Sequence, residues 1–236
     1  MKNFYLIFVF IGFMINLQAQ EFTDFQKQQN FKNFVSADYS GPIYTYNDSY
    51  EGVKGTPFVF EEWLKGIVLL KDSTLFKGLS LKYDAYNDEL VILNTKNNTP
   101  MVMDKTPISA FTLATSELTP SMLFVKVPYD EKNFFMQLIY EGKRIDFLKQ
   151  YKKRLRKADY EGPYNAGIPY DEFIEGNNYF LRFPTGKMEK TKLNRRSIIK
   201  SFPNKQQELK SFAKKNNMNL DNEQDVIKLI KYYITL

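Results

Sequence analysis

Between Trp63 and Tyr151 the apolar residues come in short runs separated by clusters of turn-forming residues, and this spacing constrains the fold more than any other feature. Runs of four to nine residues are too short for ordinary helices and suit strands. Ile67-Val68-Leu69-Leu70, Leu75 to Tyr83 and Leu90-Val91-Ile92-Leu93 read as three strands joined by Lys71-Asp72-Ser73-Thr74 and by Asp84 to Glu89. In the second run Leu79, Leu81 and Tyr83 alternate with Ser80, Lys82 and Asp84, which gives one buried and one wet face. Met101 to Met103, Ile108 to Ala114, Leu123 to Val127 and Phe134 to Tyr140 continue the series. Ile145 to Tyr151 returns across Glu141-Gly142-Lys143. Such a series predicts an antiparallel meander closed as a sandwich or as a partly closed barrel.

Outside this stretch the pattern is less regular. Phe22, Phe25, Phe31 and Phe34 over 20–34 suit a short amphipathic helix or a segment laid across a sheet, of which the helix is expected, and Gly41-Pro42 breaks the chain before an irregular or edge segment from Ile43 to Glu62. Ala158 to Asn178, with Gly162, Pro163, Gly167, Pro169 and Gly176, reads as a long surface loop. A last hairpin pairs Tyr179 to Phe183 with Met188 to Lys192. After it the period lengthens, and three helices are expected over Asn194–Phe202, Pro203–Asn216 and Asp221–Thr235. Asn194 suits an N-cap, Pro203 a first turn, and Asp221 with Gln224 a capping box. Leu209, Phe212 and Ala213 form one apolar stripe, and Val226, Ile227, Ile230, Tyr233 and Ile234 form another. The expected class is therefore α+β, with a β-rich domain over 20–192 and a helical C-terminal appendage over 193–236.

Residues 1–19 read as a signal peptide: Lys2 supplies the positive end and Phe4 to Leu17 the apolar run. Fourteen helical residues rise about 21 Å, short of the roughly 30 Å of bilayer hydrocarbon, so cleavage near Ala19 is expected and a retained anchor is not. The chain has no Cys and no His. The first zero removes disulfides, thiol nucleophiles and a lipid-modified lipobox cysteine; the second removes Ser-His-Asp triads and histidine metal sites. A soluble exported protein of the periplasm or the exterior, not a lipoprotein, is the expectation. With 43% hydrophobic residues the chain has enough to bury a core without staples. Thirty-three Lys and Arg against 27 Asp and Glu leave +6, an excess that export turns away from nucleic acid and towards an acidic protein or an anionic envelope component.

No sequence motif points to catalysis. The pairs Glu61-Glu62, Asp88-Glu89 and Asp171-Glu172 place neighbouring carboxylates on opposite strand faces, which suits a solvated edge better than a hydrolytic dyad. No oxygen-ligand calcium loop, phosphate loop or dinucleotide fingerprint is present, so neither metal nor cofactor is expected. Ser197-Ile198-Ile199-Lys200 and Ser211-Phe212-Ala213-Lys214 have the Ser-x-x-Lys spacing but lack the companion segments of the penicillin-binding enzymes. Asp72-Ser73-Thr74 resembles a short acceptor motif for O-glycosylation and equally suits a hairpin turn.

Two interaction surfaces remain. Lys149 to Lys157 holds six cations and no acid; Lys152, Lys153, Arg154, Arg156 and Lys157 are its candidates for an anionic partner, against the plainer role of a charged edge strand that resists aggregation. Tyr160, Tyr164 and Tyr170 are the candidates for an aromatic interface, within a wider set that includes Tyr39, Tyr44, Tyr46 and Tyr50.

The leader ending Leu-Gln-Ala-Gln, the segment Gly55-Thr56-Pro57-Phe58-Val59-Phe60-Glu61-Glu62-Trp63 running into Gly66 to Asp72, and the tail from Phe202-Pro203-Asn204-Lys205 to Tyr232-Tyr233 resemble an uncharacterised family of exported proteins of Bacteroidota-type bacteria. That resemblance implies export and carries no catalytic residue. The expected function is a non-catalytic exported binding module for an envelope protein or envelope component. A glycan hydrolase using Asp and Glu distant in sequence is the alternative, and a small-molecule carrier within a curved sheet is a third.

Overall fold

In the computed structural model, residues 30–32, 34, 43–46, 49–115, 120–159 and 167–236 are described. The expected signal peptide lies outside them. Of the expected N-terminal helix, Asn30, Phe31, Lys32 and Phe34 are helical, with Phe31 and Phe34 buried. Among the described residues no helix is long and apolar enough to cross a membrane. The chain is α+β and mainly antiparallel, and its contacts divide it into two units.

The first unit comprises the described residues within 1–47, 60–83 and 89–122. It holds β1 (Ile43–Thr45), β2 (Leu64–Leu70), β3 (Leu75–Asp84, but for its last residue), β4 (Glu89–Asn94), β5 (Thr99–Met103) and β6 (Ile108–Ala114). Their order, β1-β5-β4-β3-β2-β6, contains the expected meander and does not close on itself, so this sheet is open rather than a barrel. Leu79, Leu81 and Tyr83 are buried, as their alternation requires, and so is Phe76; Asp84, expected on the wet face, is fully buried instead, its carboxyl accepting backbone N–H groups of the turn that follows. Tyr83 packs on Phe111 with centroids 5.6 Å apart, and Phe34 meets Phe76 edge-on at 5.0 Å. Gly66 sits where β3 and β6 leave no space: a Cβ there would collide with the Thr112 carbonyl and the Leu81 side chain. Ser73 and Asn98 take left-handed φ of 74° and 55°, which short polar side chains tolerate in tight turns. In the first of these turns Thr74 N–H donates to Asp72 Oδ1 at 2.9 Å and holds that carboxyl below its usual range.

The second unit comprises the described residues within 48–59, 84–88 and 123–236. Its strands are β7 (Met122–Tyr129), β8 (Lys132–Tyr140), β9 (Asp146–Gln150), β12 (Asn178–Arg182) and β13 (Met188–Thr191), ordered β7-β8-β9-β12-β13. Beside them β10 (Lys153–Arg156) and β11 (Glu172–Glu175) form a separate two-stranded ribbon. β11 lies inside the segment expected to be a long loop. Its Gly and Pro flanks hide a four-residue strand held by its pairing with β10 and by the burial of Phe173.

Helices α1 (Arg195–Lys200), α2 (Gln206–Lys215) and α3 (Glu223–Thr235) complete this unit. Asn194 caps α1 as expected, its Oδ1 accepting Ser197 N–H at 2.8 Å. The expected start of α2 at Pro203 is wrong, because Lys205 is left-handed with φ 61° and breaks the helical path, leaving Pro203 in the connecting turn. The cap of α3 is one residue later than expected. Asn222 accepts Asp225 N–H at 2.9 Å, while the Asp225 carboxylate turns back to accept Asn219 N–H at 2.8 Å. The helices do not stand apart from the sheet. Ile198, Ile199, Leu209, Ala213, Val226, Leu229 and Ile230 share one core with Ile145, Phe147 and Leu181, at roughly 1.5–3 kcal/mol for each large side chain buried. That shared core crosses the boundary expected at residue 193.

One polar cluster fastens α3 to β9. Lys149 Nζ donates to Glu223 Oε1 at 3.1 Å, and Tyr179 Oη donates to the same oxygen at 2.9 Å. The ammonium lies 4.5 Å from the Tyr151 ring centroid and 5.6 Å from that of Tyr179. Burial would lower the Lys149 pKa, but Tyr151 and Glu223 outweigh it and raise the pKa, so the residue stays cationic at neutral pH. Burial and the Glu223 charge push the Tyr179 phenol up to about 12. Lys149→Met should therefore cost about 2 kcal/mol, read in denaturant unfolding, since it leaves Glu223 without its cation. In an alkaline titration followed by phenolate absorbance, Tyr179→Phe should remove a component with its midpoint near the top of the range.

Candidate anionic-partner surface

The surface begins at a buried carboxylate. Asp84 is fully buried, and its Oδ1 accepts the N–H groups of Tyr86 and Asn87 at 2.8 and 2.9 Å while Oδ2 accepts the Asn87 side-chain amide at 3.0 Å. Asp in this position folds the chain back on itself as an Asx-turn. The turn fixes Ala85, whose N–H donates to Pro57 O at 2.9 Å and whose carbonyl accepts Lys153 N–H at 3.2 Å. It also aims Tyr86 at Phe173. Tyr50, Tyr86 and Phe173 form an edge-to-face trio with centroids 5.0, 5.3 and 6.0 Å apart, and Phe173 is the buried member.

Phe173 anchors the ribbon. The register pairs Lys153 with Glu175, Arg154 with Ile174, Leu155 with Phe173 and Arg156 with Glu172. Strand alternation then puts Lys153, Leu155, Phe173 and Glu175 on one side and Arg154, Arg156, Glu172 and Ile174 on the other. Lys54 bridges Glu172 in parallel, its N–H donating to Asp171 O at 2.8 Å and its carbonyl accepting Phe173 N–H at 2.9 Å. A bridged pair shares a face, so Lys54 joins the two arginines. Its Nζ donates to Tyr170 Oη at 3.1 Å and lies 4.9 Å from that ring centroid.

This geometry changes the sequence picture of one continuous cationic strip. Lys149 belongs to β9 and points into the cluster with Glu223, and Tyr151-Lys152 separates β9 from β10. Lys153 pairs with Glu175 at 3.2 Å, Arg156 with Glu172, and Lys157 with Asp171 at 2.7 Å. These pairs neutralise three of the five candidate cations. Lys152 and Arg154 are exposed and have no carboxylate partner among the described residues. Lys54, which the sequence reading passed over, adds a third cation. The surface that results is narrower: Lys54, Lys152 and Arg154 around the Arg156–Glu172 pair, with Tyr170 37% exposed at its edge. Such a face can hold carboxylate or phosphate through the Arg154 fork and can stack on Tyr170.

Tyr160 and Tyr164 lie outside the described residues. Tyr50 spends its ring on the trio with Phe173, and Tyr86, 40% exposed, is a surface aromatic that only its place in the Asp84 turn could have marked. The Ser-x-x-Lys residues have structural settings: Ser197 Oγ accepts from Lys192 N–H at 3.1 Å in the corner between β13 and α1, and Ser211 is exposed.

One carboxylate combination was not foreseen. Glu141, in the β8–β9 turn, has its pKa raised by burial and then by the charge of Asp146, while Arg182 opposes the rise. Asp146 is already engaged, accepting Arg182 Nε and Nη2 at 3.0 and 2.8 Å and Gly142 N–H at 3.1 Å. No family model, curated protein or solved structure matches the chain.

Two measurements check the surface. Phe173→Ala should cost about 3 kcal/mol and increase proteolytic cutting within the ribbon before the helices are attacked. Asp171 is held below its ordinary value by hydrogen bonds from Lys157 and from Ala158 N–H. A depressed carboxyl stabilises the fold above its unfolded pKa and loses that contribution as pH falls through the folded one. The Asp171 carboxyl should therefore titrate below a free aspartate by NMR, and Lys157→Met should move its midpoint up.

Proposed function

We propose that this protein is an exported, non-catalytic binding module whose ribbon face takes an acidic envelope protein or an anionic envelope component. The observation that carries this reading is Arg154. It is an exposed guanidinium opposite an isoleucine rather than a carboxylate, two residues from Lys152 and on the same face as Lys54, which holds Tyr170, on a ribbon fastened by Phe173. Neighbouring cations are tied down by acids, so the face is ordered before a partner arrives, which lowers the entropy cost of binding. Export rests on reading Lys2 and the apolar run from Phe4 to Leu17 as a leader.

Glycan hydrolysis is the second reading, favoured by Glu141, a carboxyl with a raised pKa beside the ionic Asp146–Arg182 pair. Against it, both Asp146 oxygens are committed, one to Gly142 in the β8–β9 turn and the other to Arg182 of β12.

Affinity capture of the tagged mature protein from its own cell envelope separates the two. Recovery of a partner that falls about tenfold or more in Lys152→Glu/Arg154→Glu, with unchanged thermal unfolding, is expected. Undiminished recovery in that variant contradicts the ribbon as the surface. Glycan turnover by the pure protein, abolished in Glu141→Gln, would replace binding with catalysis.

A further inference from the structure

The positive charge of the chain is not spread evenly. Residues 20–194 carry 23 Lys and Arg and 23 Asp and Glu, whereas residues 195–236 carry nine against four. The whole +5 beyond the leader therefore belongs to the helices. Their few acids are occupied: Glu208 with Lys205 at 3.3 Å, Asp225 with Lys228 at 2.8 Å, and Glu223 with Lys149 of the sheet. Asp221 alone has no cation partner among the described residues. Many of the cations are in the opposite condition. Arg196 and Lys200 of α1, and Lys210 and Lys214 of α2, are exposed and have no carboxylate partner among the described residues.

Their spacing makes ridges. Residues four apart lie on one helix face, so Arg196 with Lys200, and Lys210 with Lys214, each form a short row. The buried residues Ile198 and Ile199 on α1, and Leu209 and Ala213 on α2, face the shared core, and the cationic rows lie on the sides away from it. We propose that these two rows dock the protein on a bilayer that carries anionic lipid headgroups.

Three features favour a bilayer over a discrete acidic ligand. Three of the four cations are lysines, point charges without a bidentate fork. The α2 ridge is completed by exposed Gln207 and Ser211, with no aromatic to stack on a base or a sugar. The apolar residues of both helices are spent on the core, so the contact is electrostatic and does not insert. Each Lys or Arg near an anionic leaflet strengthens binding by about five-fold. This docking is independent of the ribbon face and stands if that reading fails.

The test is co-sedimentation of the mature chain with phosphatidylcholine vesicles, with and without about a third phosphatidylglycerol. Binding only to the anionic vesicles, lost when salt rises from about 50 to about 500 mM, is expected. Arg196→Gln/Lys200→Gln/Lys210→Gln/Lys214→Gln should weaken it by about 600-fold. The ribbon variant Lys152→Glu/Arg154→Glu should bind like the parent. These helix positions are exposed, so helical circular dichroism should be unchanged; if the fourfold variant does not fold, the pairs Arg196→Gln/Lys200→Gln and Lys210→Gln/Lys214→Gln each supply the reading at about 25-fold. Equal sedimentation with neutral and anionic vesicles would overturn the proposal, as would full binding by the folded helix variants. Binding to a soluble anionic polysaccharide in the absence of vesicle binding would also overturn it and assign the rows to a glycan.

Discussion

A carboxylate removed from water must be compensated, and Asp84 is removed completely. Compensation comes from the backbone N–H groups of Tyr86 and Asn87 and from the Asn87 side chain, so satisfying the carboxyl and making the turn are one event. The turn in turn fixes the donor and acceptor of Ala85, which tie Pro57 on one side and Lys153 on the other, and it presents Tyr86 to Phe173. Without it the ribbon would keep its cross-strand pairs and lose its footing. An isolated two-stranded ribbon is marginal in water, and this one depends on the Tyr50–Tyr86–Phe173 trio and on the Lys54 bridge.

Charge has two uses in this unit. Where cations meet acids across a strand pair, as Lys153 meets Glu175 and Arg156 meets Glu172, they set register and blunt an edge. Where the chain places isoleucine opposite Arg154, or leaves the outer rows of α1 and α2 without acids, the charge has no such internal use. The same distinction separates Lys149, a structural cation held between two tyrosines and Glu223, from its sequence neighbour Lys152. The proposed binding draws on the second class, in which the field is not already neutralised.

Much of the fold was legible because a strand run repeats its rule every two residues and a buried helix stripe repeats every turn. β2 to β9, the last hairpin and three helices followed from periodicity alone. β11 did not, since four residues between Gly167 and Gly176 give too little pattern, and its partner choice depends on charges about twenty residues away. Helix starts failed where the decisive fact was a backbone dihedral, left-handed Lys205, or a cap competing with its neighbour, Asn222 against Asp221. For the candidate surface, sequence identified the cation-rich segment but could not say which cations were paired. That depends on Glu172, Glu175 and Asp171 arriving by way of a strand read as loop. Lys54 was illegible for the same reason: a single bridging residue joins it to β11.

If the ribbon is an ordered face used for binding, hydrogen exchange reads it directly. The mature protein would be exchanged alone and in the presence of its own envelope extract, and the amides of Lys153–Arg156 and Glu172–Glu175 compared. Measurable protection of these strands in the free protein and a further slowing with extract are expected, while the β9–β12 pairing is unchanged. Ribbon amides that exchange as freely as an open loop, or that are unaffected by extract while another region is protected, would contradict it.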